Sequence, residues 1–460
     1  MISAPPASSW SRLVERERQQ FIERRTRSRQ LAERARAHWL SGVPMHWMAD
    51  WGTPFPLSFS AAEGTSLRDV DGIEYVDFCL GDTGALFGHS PPAIAAAIAR
   101  QAARGLACML PDERVAAVGE ALASRFGLPF WQVTQTATEA NRAVLRWARA
   151  LTGRPKVLVF QGCYHGTVDE TMVRLRAGRT VAREGAIGPP FDNAAAAKVI
   201  EFNDFDALEP ALAVGDVAAV ITEPVMTNIG MVLPAPGFLA TLREFTRRYD
   251  VPLVIDETHT ISSGPAGYGL GAGHAGTAGD AGAQGLAPDF WVCGKAIAGG
   301  LPCAVFGFTA EIESRMRRLL RNRETGHSGM GTTLAANPLV FAALEAALAH
   351  LHTEATHAAI DERARYLEQS LRKIFDVRGL DWHVSRVGAR LEFGFGPAPR
   401  NGSEAEAAMR PEYEHALHLW LLNRGLLVTP FHNMMLTAPM LPTAAIDTLC
   451  HEIGAFIDAT

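Results

Sequence analysis

Lysine is nearly missing from this 460-residue chain: of 43 basic residues only Lys156, Lys198, Lys295 and Lys373 are lysines, and the rest are arginine. A GC-rich coding bias produces such a skew. Whatever its origin, it leaves four candidates for chemistry that needs a primary amine able to shed a proton and attack a carbonyl. Paired cysteines are lacking too. The six cysteines, at 79, 108, 163, 293, 303 and 450, are scattered without a C-x-x-C, which disfavours a zinc or other metal site and a disulfide scaffold and points to reduced thiols. No apolar run reaches the roughly 18 residues of a membrane span and no secretory apolar stretch opens the chain, so a cytoplasmic protein without a membrane partner is expected. Positive charge is not in excess either. A net charge of −6 gives no general reason to expect a nucleic-acid partner. What is present is ordinary for a globular protein: 48% hydrophobic and 20% charged residues exclude long disorder, and the length exceeds one ordinary domain.

Residues 10 to 40 hold nine arginines and four glutamates, with Trp10, Leu13, Val14, Phe21, Leu31, Ala35 and Trp39 at helical spacing. The interleaved glutamates favour a solvated helix docked on its own protein over a nucleic-acid or membrane arm. LRDVDGIEYVDFCLG then alternates around the Asp71-Gly72 turn signal and predicts a β-hairpin. From WQVTQT to FWVCGKA, apolar strand-like runs alternate with helical stretches, the pattern of βα units and a mostly parallel sheet covered on both faces. After about residue 335 two long helical stretches lead into mixed short elements. The expected organisation is α/β: an N-terminal helix and segment (1–65), a large domain with the parallel sheet (66–334) and a smaller α+β domain (335–460) completed by the N-terminal segment. Gly264 to Gly285 holds nine glycines and is simplest as a surface loop.

Four segments carry polar groups where chemistry is possible. Val251 to Ile255 reads as a strand buried on both faces and ends in Asp256. In parallel α/β sheets, ligands bind at the carboxyl ends of strands. A carboxylate there caps a helix, joins a structural ion pair or meets a bound cation. Phe290 to Cys293 is a second buried strand, with Lys295 at its mouth and Gly299-Gly300 close behind. Lys156 opens a strand, Lys198 precedes a short run and Lys373 lies on a helix, all as ordinary exposed lysines. Lys295 is therefore the candidate for Schiff-base work. TQTATEANRAVLRWAR places Thr136 and Thr138 where a strand meets a helix, either as a phosphate site or as plain N-caps. FQGCYHG sets Tyr164 and His165 at another strand exit, where an aromatic ring can stack on a flat ligand or simply be half-buried. A lysine, an anion for a ring nitrogen, a phosphate cradle and a stacking aromatic together fit pyridoxal phosphate.

With these residues in place, the chain from about residue 67 onward resembles the class III aminotransferases of fold type I, especially the branch of glutamate-1-semialdehyde aminomutases and β-amino-acid transaminases. The matching motifs run in order: DVDGIEYVDF with GHSPPAI, ARALTGRPKVLVFQGCYHG, EPVMTNIGMVLPAPGFL, VIDETHT, GKAIAGGLP and TLAANP. The resemblance implies Lys295 and Asp256 as the catalytic pair, with Tyr164 stacked over the cofactor. It further implies Thr136, Ala137, Thr138, His165, Glu223, Asn228 and Thr258 as cofactor contacts, and Thr333 reaching the phosphate of the neighbouring subunit of a homodimer. Ala137 replaces the usual glycine of the phosphate turn, and Thr258 followed by His259 replaces the usual valine. His259 is a proton relay or a hydrogen-bonded structural histidine.

The resemblance implies a ping-pong aminotransferase working on an amine donor and a keto-acid or aldehyde acceptor, with an aminomutase or racemase as the alternative. Relatives acting on amino acids place an arginine in the N-terminal segment or near the C-terminus to clamp a carboxylate. The corresponding stretches, VPMHWMADWGTPFPL and VTPFHNMMLTAPML, have none. They offer His46, Trp47, Trp51, Phe431, His432 and Met434, so a bulky or weakly charged amine is expected.

Overall fold

A computed structural model describes residues 7–268 and 286–460; most of the glycine-rich stretch, residues 269–285, lies outside the described residues. A seven-stranded sheet forms the centre. Its spatial order is Phe130–Thr134, Ala304–Phe308, Phe290–Cys293, Leu253–Asp256, Val217–Thr222, Lys156–Phe160 and Ala197–Ile200. Six strands share one direction and Ala304–Phe308 opposes both of its neighbours. The inner strands are apolar along their whole length, with Val217 to Ile221 and Leu253 to Ile255 entirely buried, because helices cover both faces. Ala137–Thr152 crosses one face with Ala140, Ala143, Val144 and Trp147 turned inward. This parallel-rich sheet is the large-domain core of the fold type I expectation.

A second unit gathers both ends of the chain. His383–Val387, Arg390–Gly394 and Met435–Leu436 form a three-stranded antiparallel sheet. Leu13, Phe78, Leu367, Leu371, Leu421 and Phe456 pack in one core beneath its helices. The hairpin around Asp71-Gly72 forms as expected, from Ser66–Asp69 and Glu74–Asp77. Its inner strand pairs in parallel with Leu426–Leu427. The pairing ties the hairpin, placed in the large domain on sequence grounds, to the C-terminal unit that covers Phe78. Conversely, Pro338–His350 packs against Pro92–Ala102 within the large core.

The arginine-rich N-terminus does dock on its own chain, as two helices, Ala7–Arg24 and Thr26–Ala35. Arg25 breaks them. Its side chain is fully buried and donates to Tyr75 Oη at 2.9 Å, Asn423 Oδ1 at 3.0 Å and the Leu422 carbonyl at 3.0 Å. Asp71, in the hairpin turn, then caps the second helix by accepting from the Arg27 and Ser28 amides at 2.6 and 2.9 Å. No helix among the described residues is long and apolar enough to cross a membrane.

Candidate active site

Asp256 ends its strand at the carboxyl edge of the sheet and is buried. Its Oδ2 accepts from Asn141 Nδ2 at 2.9 Å and from His165 Nδ1 at 3.0 Å; its Oδ1 accepts from the Thr258 amide at 3.1 Å and hydroxyl at 2.6 Å. Burial alone pushes a carboxyl upward. The donated hydrogen bonds and the charge of His165 outweigh it and bring Asp256 down to about 2, so the site carries a permanent anion. Asn141 sits on the buried face of Ala137–Thr152, which positions it beneath this carboxylate.

The N-terminus of the same helix lies beside it. Thr136 is its N-cap, accepting from the Glu139 amide at 3.2 Å, while the Glu139 carboxylate accepts from the Gln135 amide at 3.0 Å. The threonine is thus a true N-cap, while Glu139 reaches past it to the amide of the preceding residue, so the capping role proposed by the sequence is real. The Thr138 hydroxyl accepts from the Thr167 amide at 3.2 Å. Both hydroxyls keep their own hydrogens to donate, and the helix end stays positive, so an anion site is compatible with the cap. The loop carrying Tyr164 closes tightly: a Cβ on Gly166 would stand 2.1 Å from Thr138 Oγ1. Across the turn, a Cβ on Gly294 would stand 3.0 Å from that of Ala137, so the lysine loop presses on the same helix end. Tyr164 remains partly exposed, with the Arg183 guanidinium 5.5 Å from its ring centroid.

Lys295 follows the buried Phe290–Cys293 strand and adopts φ +50°, the left-handed region that a lysine rarely occupies. The turn aims Nζ into the crevice, where it donates to Asp82 Oδ2 at 2.5 Å and lies 3.1 Å from His259 Nε2. The other lysines are elsewhere: Lys156 and Lys198 share Asp216 and Lys373 is exposed. His259 is buried, and desolvation together with the positive charge of Lys295 lowers it to about 3, so its ring is neutral. Glu223 is buried and raised above the usual carboxyl range by desolvation; it accepts from the Thr227 amide at 3.2 Å and from the Thr227 hydroxyl, with Asn228 Nδ2 at 3.5 Å.

Three charged residues escaped sequence reasoning. Asp82 Oδ1 accepts from Arg390 Nη1 at 2.8 Å, Arg390 Nη1 lies 3.3 Å from His259 Nδ1, and Arg390 Nε donates to Glu392 at 2.8 Å. Glu392 is raised to about 8, because burial outweighs the pull of Arg390. The two stretches read for a substrate arginine do lack one, and this guanidinium comes from neither of them. The signal was nonetheless present. Arg390 and Glu392 share one face of a strand whose other face holds the core residues Leu391 and Phe393, an inward charge pair at period two.

The tentative substrate residues divide. His432 lines a cavity with Ile229, Gly230 and Phe393 beside Asn228, and Phe431 stands next to it with ring centroids 6.0 Å apart. His46 and Trp47 are exposed, and Trp51 packs edge-on against His418 at 5.7 Å. Thr333 is likewise exposed.

The residues fit pyridoxal phosphate: an ionised carboxylate at the strand end, a helix N-terminus closed by Gly166 and Gly294, an accessible aromatic ring, and a primary amine between them. Fold and site define a pyridoxal-phosphate enzyme of fold type I. The model of the family Aminotransferase class-III matches residues 47–457, and the chain belongs to that family. It is 48% identical, with a TM-score of 0.93 and 99% of each chain covered, to the crystal structure of a glutamate-1-semialdehyde-aminomutase from Pseudomonas aeruginosa PAO1, a variant of which is known in complex with PMP. A glutamate-1-semialdehyde 2,1-aminomutase of Methanosarcina acetivorans is 32% identical over 411 residues, 88% of this chain and 92% of that one. An omega-transaminase from Sphaerobacter thermophilus is 26% identical with a TM-score of 0.82, covering 94% and 97%.

Proposed function

We propose that this enzyme moves an amino group between carbons of a single small substrate, as a 2,1-aminomutase of the glutamate-1-semialdehyde type. One observation supports the reading most: Lys295 and the ionised Asp256 follow or end adjacent parallel strands at their carboxyl ends. Amino transfer within one substrate, in place of the ping-pong transamination first expected, is supported by the relatives named aminomutase at 48% and 32% identity.

When bound, the cofactor supplies an electron sink for the carbanion formed at the substrate carbon. Asp256 holds the ring nitrogen protonated, which makes that sink effective. Lys295 Nζ anchors the cofactor and, once displaced by the substrate amine, moves the proton at the substrate carbon. The neutral His259 Nε2 accepts from Nζ and keeps it aimed. Thr136, Ala137 and Thr138 hold the phosphate through amides and hydroxyls, Glu223 and Asn228 border the ring, Thr258 fixes Asp256, and the exposed Thr333 reaches the neighbouring phosphate in a homodimer.

Lys295→Ala is expected to remove the long-wavelength absorbance of the lysine-linked cofactor and turnover together; a coloured, active variant overturns the assignment. Wild-type enzyme is expected to isomerise glutamate-1-semialdehyde with no added acceptor. A second reading, transamination between an amine donor and a keto acid, draws on the 26% identical omega-transaminase and a β-phenylalanine aminotransferase from Variovorax paradoxus, 26% identical with a TM-score of 0.83 over 98% and 97% of the chains. Strict dependence on added pyruvate or 2-oxoglutarate selects it.

A further inference from the structure

We infer that Asp82 is a further catalytic residue: its carboxylate receives the ammonium that Lys295 becomes when, freed from the cofactor, it takes the proton from the substrate carbon. The inference rests on the reading of Lys295 as the group that moves that proton, and adds the anion that favours the move. Two side chains meet Nζ. Asp82 Oδ2 accepts from it at 2.5 Å, and His259 Nε2 lies at 3.1 Å. The histidine is neutral and offers a lone pair alone, whereas the aspartate offers a charge. In the step, Nζ forms a bond to the proton and the electron pair of the broken C–H bond passes into the cofactor. The proton later leaves Nζ for the carbon that accepts it. A full positive charge therefore appears on Nζ midway and is gone at the end. An anion fixed beside the nitrogen stabilises that charge where it develops.

The fold holds Asp82 in this place. Leu80, Gly81, Asp82 and Thr83 all have positive φ, at 43°, 57°, 49° and 83°, a strained turn of the kind found where a loop has work besides folding. Asp77 secures its start: Oδ1 accepts from the Cys79 and Leu80 amides at 2.7 and 2.9 Å, and Oδ2 is bonded to His89 Nε2 at 2.7 Å. Its far end presses on the lysine loop, where a Cβ on Gly300 would stand 3.2 Å from the Gly84 carbonyl oxygen. Arg390 Nη1 donates to Oδ1 at 2.8 Å and leaves Oδ2 to Lys295. Desolvation pushes the carboxyl up, but the positive charges around it, that of Lys295 foremost, outweigh this and keep it ionised. The bond to Oδ2 is available only while the lysine is free. Linking Nζ to the cofactor aldehyde releases water and takes two hydrogens from the amine, so Asp82 loses its ammonium partner and linkage works against the pair. A loop-to-loop ion pair of purely structural use would instead support every form of the site alike.

Cofactor-free wild type, Asp82→Asn and Asp82→Ser are titrated with pyridoxal phosphate and with 4-deoxypyridoxine phosphate, which fills the same site without an aldehyde to link. Both variants are expected to bind pyridoxal phosphate roughly fivefold tighter than wild type, because no ion pair has to be broken, and the deoxy analogue with unchanged affinity. Equal or weaker binding of pyridoxal phosphate, or parallel loss for both ligands, overturns the inference, as does failure of both variants to fold. The second readout is a single turnover of glutamate-1-semialdehyde by the holoenzyme. It is followed in the cofactor's visible spectrum, with protium and then deuterium at the carbon that loses its proton. The variants are expected to be slower on the order of tenfold, with the slowed step sensitive to deuterium. An unchanged rate, or a loss insensitive to deuterium, overturns the inference. A wild-type spectrum that stays silent toward this substrate counts against the functional reading itself, while the two titrations still decide on Asp82.

Discussion

Replacing Asp256 by asparagine keeps the shape of the side chain and removes its charge. In the wild type both oxygens are acceptors: Oδ2 for Asn141 and His165, Oδ1 for the Thr258 amide and hydroxyl. An asparagine has one acceptor and one donor, so whichever way it turns, its NH2 faces donors on one side. Leaving such groups unmatched in a buried site costs about 1–3 kcal/mol. The charge contributes as well. A carboxyl lowered from 3.8 to about 2 by folding stabilises the folded state by about 2 kcal/mol at neutral pH. The two figures describe overlapping contacts, so a net loss of about 2–4 kcal/mol is expected for Asp256→Asn. Urea denaturation of the cofactor-free protein, followed by tryptophan fluorescence, measures it. Because the folded value lies below the unfolded one, the charge contribution is complete above about 4 and disappears as pH falls through about 2. The stability gap between wild type and variant is expected to narrow by about 1 kcal/mol between pH 7 and pH 3. A variant within about 0.5 kcal/mol of wild type at pH 7, or a gap that ignores pH, refutes the ionised acceptor network.

Gly166→Ala forces a Cβ at φ +77° to within 2.1 Å of Thr138 Oγ1. The loop must lift off the helix end at a cost of about 1–3 kcal/mol, so pyridoxal phosphate titrated into the cofactor-free variant is expected to bind roughly tenfold or more weakly. Arg25→Ala leaves Tyr75, Asn423 and the Leu422 carbonyl without their buried donor, and the urea midpoint is expected to drop by the equivalent of about 3–5 kcal/mol. His259 stays neutral down to about pH 3, since burial and Lys295 both disfavour its charge. The acid limb of the pH–rate profile is therefore expected to keep its midpoint in His259→Gln, and a limb that vanishes with the ring contradicts this.

Much of the site is legible along the chain because it sits at strand ends. A fully apolar run that stops at Asp256 or just before Lys295 announces a covered parallel strand and its mouth, and Thr136 with Glu139 announces a helix start. The lysine scarcity narrowed the amine to four positions, and Nζ of only one of them points into the crevice. The break at Arg25 was not legible: helical periodicity continues through it, and only a distant hydrogen-bond set involving Tyr75, Leu422 and Asn423 makes burying an arginine there favourable. Arg390 was not legible for a related reason: it stands on a strand of the C-terminal unit, and only the fold brings it to 2.8 Å from Asp82.

The sequence by itself determined the alternation of strands and helices, the residues at the strand mouths and the amine available for chemistry, since all of these follow from contacts between near neighbours in the chain. Tertiary structure alone decided what surrounds that amine. Asp82 is 213 positions from Lys295 and 308 from Arg390. Their meeting is set by how the N-terminal hairpin and the C-terminal sheet pack over the carboxyl edge of the central strands. Coulombic pairing of this kind depends on distance in space and on exclusion of water, neither of which is written in the spacing of residues.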